Sequence, residues 1–342
     1  MISLKPEKFT RYLIEAAVNR GIKEMQEDPK RSVRKLADLG RQFARGRFQK
    51  NFFTLSQTLL LDDNSPYYYL LSRLTEEIDH ETLKKFGINI GYTSWTYGAQ
   101  LIRAYEREHG LAVPWSLFIH YHPEGAFCLS RLEALIQEGR SLGIYTYCLC
   151  LEAVPEDWQG LISLFRRYDN SAFLLFLPDE ELQEEDVLLL SQCRNLLLSA
   201  EIAPSYRNNI SLLRQNKCLA ANHYYYSDSG GEELLLRLKD CESPLLFFLP
   251  QKDTPPSARE RLAESIYQIR YHPEHPVFPI ELFADYKRID YIISDRTCFL
   301  EIDSEGRIPL PGGASLCITQ AGFSLPDLLQ AAARSFFCEA PC

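Results

Sequence analysis

The sequence predicts an α/β protein built on a parallel sheet, with a helical region ahead of it and a β-hairpin plus helix behind it. Three observations carry this. From about residue 111, short apolar runs alternate with amphipathic stretches. The runs are apolar throughout, as expected of strands buried on both faces. Residues before about 105 show helical spacing of apolar side chains and no strand signal.

In the first third, "FTRYLIEAAVNRGIKEMQ" reads as a helix that stops near "EDPKR", where Pro29 suits the first turn of the next. "SVRKLADLGRQFAR" and "NFFTLSQTLLLD" are the second and third helices. "HETLKKFGINIGYTSW" is a fourth, expected to unwind at Gly87 or Gly91, and "GAQLIRAYEREHG" a fifth, capped by Gly110. Six strands follow: "WSLFIHY", "IYTYCLCL", "AFLLFL", "LLLSAEIA", "KCLAANHY" and "PLLFFLP". The helices between and after them are "LSRLEALIQEGRSLG", "PEDWQGLISLFRRY", "EELQEEDVLLLSQCRN", "YRNNISLLRQN", "GGEELLLRLKD" and "SARERLAESIYQIRYH". A strand followed by a crossover helix, repeated, means a parallel sheet. Six units are fewer than the eight of a closed barrel, so an open doubly wound sheet and a partial barrel both fit. At the end, "RTCFLEIDSEGRIPLPGG" predicts a β-hairpin around Ser-Glu-Gly, and "SLPDLLQAAARSFF" a last helix with Pro326 in its first turn.

Composition narrows the function. Apolar residues at 46% and charged residues at 24% describe a globular chain. A net charge of -9 argues against a nucleic-acid binder, although "RQFARGRFQK" (41–50) is locally basic. The amphipathic opening "MISLKPEKFTRYLIEAAVNR" has no secretory pattern, and no apolar run approaches twenty residues, so a cytoplasmic protein without a membrane span is expected. Ten cysteines, none in a C-x-x-C pair, then read as reduced and mostly packed thiols.

Chemistry-bearing residues gather after the first strand. His120 and His122 lie two apart at its end, with Glu124 and Cys128 in the turn that follows. His120, His122 and Cys128 make a weak alternative as metal ligands, since two residues apart on a strand share a face. Pro123 and Gly125 give the competing reading, an ordinary strand-to-helix turn. No Walker loop, G-x-G-x-x-G stretch or Ser-His-Asp order points to a reaction. "SGG" at 229–231 is a weak anion cradle.

The order of these pieces resembles radical S-adenosylmethionine (radical SAM) enzymes, in the group with a helical N-terminal region. The resemblance rests on "FGINIGYTSWTYGAQLIR" (Phe86 to Arg103), Pro114–Trp115 before the first strand, "LSRLEALIQEGRSLGIYTYCL", "RYHPEHPVFPIELFADY" and "CFLEIDSEGRIPLPG", and spans roughly residues 10 to 337. It implies a partial (β/α)6 TIM-like barrel at 111–290, a helical N-terminal domain at 1–110, and a C-terminal hairpin and helix at 291–342. The motif that defines the chemistry is missing. Three cysteines in C-x3-C-x2-C hold a [4Fe-4S] cluster in such enzymes, whereas "HYHPEGAFC" (His120 to Cys128) holds one. The family's Gly-Gly-Glu turn after strand two is matched by "LCLEAVP", with Glu152 but no glycine. Near the family's late cysteine position stands Cys317, several residues late, while Cys338 and Cys342 close the chain.

The chain therefore reads as a cluster-less pseudoenzyme of that fold, with no radical SAM activity. It is expected to bind a protein or peptide partner, such as a catalytically active relative, or a small polar ligand at the barrel mouth. An enzyme reusing the cavity without iron, as a SAM-binding polar transferase or a hydrolase, is the alternative. No cofactor is expected, with SAM and zinc as alternatives. Ligand candidates at the carboxyl ends of the strands are Glu152, Asn222, His223, Glu281 and Asp285, the last two matching acidic positions of the family's "DFWNDG"-like segment. Partner candidates are Tyr92, Trp95 and Tyr97, whose segment is expected to dock the helical domain and to roof that edge; a peptide groove is the alternative.

Overall fold

Helical periodicity in the first third of the chain builds α1 (Pro6–Glu27), α2 (Pro29–Phe43), α3 (Arg47–Leu59), α4 (Pro66–Glu77), α5 (His80–Ile88) and α6 (Ala99–His109). The structure, a computed structural model, describes residues 6–43, 47–203, 206–228, 231–309, 315–318 and 324–337. Asp79 caps α5 by accepting the Thr82 N–H at 2.8 Å. Gly110 ends α6 in the left-handed region (φ +73°), as its position predicts. The expected unwinding at Gly87 or Gly91 does not occur. A π-helical segment, Asn89–Gly98, joins α5 to α6 in one continuous rod, and neither glycine has a neighbour within 4 Å of where a side chain would begin. The close contact lies at Gly98, whose backbone abuts that of Gly143. Helix α4 has no counterpart among the elements read from the sequence.

The second part runs β1 (Ser116–Tyr121), α7 (Leu129–Leu142), β2 (Thr146–Leu151), α8 (Gln159–Arg167), β3 (Ala172–Leu177), α9 (Glu184–Ser191) and β4 (Leu196–Glu201). It continues through α10 (Tyr206–Gln215), β5 (Ala220–Tyr226), α11 (Gly231–Asp240), β6 (Leu245–Pro250), α12 (Pro256–Tyr271), β7 (Phe278–Glu281) and α13 (Leu282–Ser294). The tail holds β8 (Glu301–Ile302), β9 (Arg307–Pro309), β10 (Ser315–Cys317) and α14 (Leu325–Phe337).

The order β7-β6-β5-β4-β3-β2-β1-β8, with every pair parallel, settles the architecture. Each strand from β2 to β7 lies beside its predecessor, so the crossovers all step the same way. Right-handed crossovers then put the helices on one face. A doubly wound sheet would instead reverse direction part-way. The result is a partial TIM-like barrel of eight parallel strands, two more than the sequence suggested. The tail corrects a second expectation. The Ser-Glu-Gly turn forms, with Asp303 N–H bonded to the Arg307 carbonyl at 2.9 Å, but its flanks part. Glu301–Ile302 joins β1 in the main sheet, and the antiparallel hairpin is β9 with β10. Glu301 thus belongs to the barrel wall.

Alternation along the strands separates two cores. Leu117, Ile119, Tyr147, Leu149, Phe173 and Leu175 face the helices. Phe118, Cys148, Cys150, Leu174, Phe176, Leu197, Ala221, Phe247 and Leu249 fill the lumen. The helical region closes the lumen from below: Leu74, Ile78, Leu83, Phe86 and Ile90 pack onto this inner cluster. Several of its polar contacts reach the starts of strands or the helix ends and turns just before them. Thr146 donates to Ser94 at 3.0 Å, Asn89 to the Ser171 carbonyl at 2.9 Å, the Asp79 N–H to the Lys217 carbonyl at 2.9 Å, and Tyr67 to the Arg270 carbonyl at 2.9 Å. "IGYTSWTYG" therefore docks the helical region, as expected, but on the floor of the barrel and not over its carboxyl edge. No described helix is long and apolar enough to cross a membrane.

Candidate functional site

The last inward positions of the strands assemble the mouth. His120 and Cys150 stand opposite each other on β1 and β2, and Glu201 and His223 on β4 and β5. Phe118 pairs with Glu301, which places the Glu301 side chain within reach of the next inward residue. His120 Nε2 and Glu301 Oε1 meet at 2.9 Å, both partly exposed. From the other side of the lumen the Tyr225 hydroxyl comes within 4.0 Å of Cys150 Sγ. Burial pushes the Cys150 thiol well above its ordinary range, and the charges of Glu301 and Glu152 add to this. Burial likewise raises Tyr225, with Cys150, Glu201 and Glu152 contributing. The Glu201 carboxyl is raised by burial and by Asp179. Three carboxyls (Glu152, Glu201 and Glu301), two imidazoles (His120 and His223), a buried thiol and a partly buried phenol thus ring the opening. Among the described residues no lysine or arginine forms an ion pair with Glu152, Glu201 or Glu301.

The five ligand candidates separate by parity. Glu152 is exposed at the rim. His223 faces inward, its Nδ1 3.0 Å from Ser199 Oγ and its ring edge-on to Phe176 and Tyr225; burial pushes it down to about 3, so the imidazole is neutral. Asn222, its neighbour, must point the opposite way. It accepts from Ser243 Oγ at 2.7 Å and Cys241 Sγ at 3.4 Å on the helix-facing side. Glu281 is also buried there, accepting from Tyr226 at 2.7 Å and capping α13 through the Ala284 N–H at 2.5 Å. Asp285 pairs with Arg270 at 2.5 Å. Three of the five are thus held in the helical layer. Sequence reading missed Cys150, Glu201, Tyr225 and Glu301; alternation within β5 groups Tyr225 with His223, but which face of each strand points inward follows only from the strand pairing.

The metal alternative does not converge. His120 is turned to Glu301, His122 Nδ1 accepts the Glu124 N–H at 3.2 Å, and Cys128 lies exposed at the start of α7, 3.2 Å from Ser130 Oγ. Among the described residues no group of three or more His, Cys, Asp or Glu side chains comes together as a metal site. The loop 122–128 is tied down, Phe127 N–H donating to the Ser304 carbonyl at 3.2 Å and Gly125 lying close to the same oxygen. Cys148 lies deeper in the lumen, its thiol pushed up to about 12 by burial. These residues do not fit a cluster that needs three thiolates in one loop. Cys338 and Cys342, like Ser229 and Gly230 of the anion cradle, lie outside the described residues.

The partner candidates are engaged at the floor. Trp95 packs between Phe52 (6.3 Å between ring centroids) and Trp115 (6.0 Å), Tyr97 against Tyr145 (5.8 Å), and Tyr92 is half-buried.

No family model and no curated protein matches the chain. Among solved structures it is similar to Streptococcus suis SuiB bound to S-adenosylmethionine, at 12% identity over 68% of this chain and 71% of that one, with a TM-score of 0.49. It is also similar to SuiB bound to precursor peptide SuiA, at 14% identity over 69% and 68% with a TM-score of 0.44. A mutant tryptophan synthase alpha-subunit from Pyrococcus furiosus follows, at 7% identity over 55% and 87% with a TM-score of 0.36. Likeness this distant concerns the path of the chain, so the functional reading rests on the residues above.

Proposed function

We propose that this chain is a radical-SAM-like protein without a cluster, and that its barrel mouth binds a cationic or neutral polar segment of a peptide or protein partner. The observation that carries the reading is the mouth itself: Glu152, Glu201 and the Glu301–His120 pair stand over a lumen packed with Phe118, Phe176 and Phe247. Carboxylates without cationic partners attract and orient a lysine- or arginine-bearing segment. The single cysteine of loop 122–128, where a cluster loop would need three, speaks for binding rather than radical chemistry.

Calorimetric titration tests this with three probes at two salt concentrations: a lysine-rich peptide, its glutamate-substituted counterpart, and SAM. The basic peptide is expected to bind, more weakly at high salt, and the variant E152Q/E201Q to bind it at least tenfold more weakly. Equal binding of the acidic peptide would reject the electrostatic reading. Stoichiometric SAM binding that E152Q weakens would favour the enzyme alternative.

A further inference from the structure

At the floor of the barrel, two buried carboxyls hold the segments that lead into β1 and β8. Glu106, in the last turn of α6, accepts the Val113 N–H at 3.0 Å. Asp290, in the last turn of α13, accepts the Trp115 N–H at 3.2 Å and the Cys298 N–H. The Trp115 indole also donates to the Tyr286 carbonyl at 3.1 Å, so α13 grips the start of β1 twice. Residues 113–115 run straight into β1, which carries His120, and residues 298–300 into β8, which carries Glu301. The Leu300 carbonyl then accepts the Phe118 N–H at 3.1 Å, tying the two strands together.

Apart from its two N–H donors, the surroundings of Asp290 among the described residues offer no favourable charge. It faces Glu106 from α6, and Tyr286 and Cys298 from its own side. Among the described residues no lysine or arginine is hydrogen-bonded to it. Arg103 donates to the Ile293 carbonyl at 3.0 Å and Arg296 to the Gly110 carbonyl at 2.8 Å, and their charges act on Glu106. A carboxylate so buried costs several kcal/mol unless it stays protonated or reaches water.

We propose that Asp290, with Glu106 beside it, is a proton-controlled latch: neutral, it clamps the segments ahead of β1 and β8; charged, it favours their opening and so loosens the Glu301–His120 side of the mouth. The idea that this loosening regulates binding rests on the mouth being the binding site. The titration range is consistent with the geometry, since burial, against the two N–H donors, pushes Asp290 up to about 8 and raises Glu106 as well. By linkage, a group neutral when closed and ionised when open makes opening about tenfold easier per pH unit, up to the closed-state pKa, and no further above it.

Hydrogen exchange of residues 298–302 in the unliganded full chain, corrected for intrinsic rates, tests the latch between pH 6 and 9. Protection is expected to fall about tenfold per pH unit to near pH 8 and then level off. In D290N the fall should be at most threefold across the range, and in E106Q the profile should shift while keeping its shape. A flat wild-type profile, or an unchanged slope in D290N, overturns the latch. Because no ligand is used, failure of peptide binding leaves this result standing. A basic peptide that binds equally at pH 6.5 and 8.5 despite a working latch would separate the latch from the mouth.

Discussion

Replacing Gly98 by alanine tests the docking of the helical region on the barrel. A Cβ at residue 98 would lie 2.3 Å from the Gly143 carbonyl oxygen, 3.1 Å from the Thr93 oxygen and 3.1 Å from the Tyr145 ring. The first contact is with backbone, and that backbone is fixed: Ile144 N–H bonds the Gly139 carbonyl at 2.8 Å and Gly143 N–H the Arg140 carbonyl at 3.2 Å. Relieving the overlap requires about 1 Å of separation between the rod and the end of α7, an overpacking that costs about 3 kcal/mol. Alanine's better helix propensity returns about 1 kcal/mol, leaving a net loss of about 2 kcal/mol. The internal controls are G87A and G91A in the same rod, where nothing lies within 4 Å; each should gain up to about 1 kcal/mol. Urea unfolding followed by circular dichroism reads all three. At about 2–4 °C per kcal/mol, G98A should also melt about 4–8 °C lower. If G98A is as stable as the parent, or G91A falls as far, the rod does not pass Gly143 in this way.

Buried His223, pushed down to about 3, contributes stability that is present above its unfolded value near 6.5 and lost as the pH falls toward 3. Between pH 7 and 4.5 the parent should therefore lose about 2–3 kcal/mol more than H223Q in denaturant titrations, and parallel profiles would contradict the assignment. E281A should destabilise by about 2 kcal/mol through loss of the α13 cap and the Tyr226 bond, yet leave peptide binding within twofold, since Glu281 faces the helical layer. Anaerobic reconstitution with iron and sulfide should leave iron far below four per chain, and H120Q/H122Q should not change the zinc content. A brown, stoichiometric iron–sulfur protein would reverse the cluster-less reading, and one zinc lost in the double variant would revive the metal alternative at His120 and His122.

Strands and helices were legible because their cause is local. "AFLLFL" and "PLLFFLP" are apolar on both faces, and the helices between them carry one apolar stripe each. The mouth was legible only in part. Asn222 and His223 look alike as polar residues in one strand; alternation puts them on opposite faces, and only the pairing of β5 in the folded sheet shows which face is inward. Glu301 could not be found by alternation, because β8 is two residues long and takes its place only by pairing with β1. Glu281 and Asp285 looked like site residues because the resemblance supplied acidic positions. Their partners, Tyr226 and Arg270, are distant in sequence and announce nothing in it. The π-helical rod was missed for a similar reason: Gly98 matters through Gly143, and a glycine's neighbour is invisible until the chain is folded.

A tied-down first loop and a filled lumen are physically one condition. An apolar barrel interior left empty loses contacts on every lining residue, at about 24 cal/mol for each Å³ of cavity, so side chains that fill it stabilise the barrel. Here Phe118 is contacted edge-on by Phe283 at 5.0 Å and lies 6.2 Å from Phe299, both contributed by the segment between β7 and β8. The same segment carries Asp290 and ends in Glu301, so filling, latch and rim acid travel together in the sequence. Truncating Phe299 to alanine should then do two things at once. It should cost up to about 3 kcal/mol, less than a fully buried phenylalanine because Phe299 is only partly buried, and it should lower the exchange protection of β8 more than that of β3, because Phe299 adjoins Glu301. Equal loss of protection across the sheet would mean that the aromatic filling supports the barrel as a whole and does not set the position of the mouth.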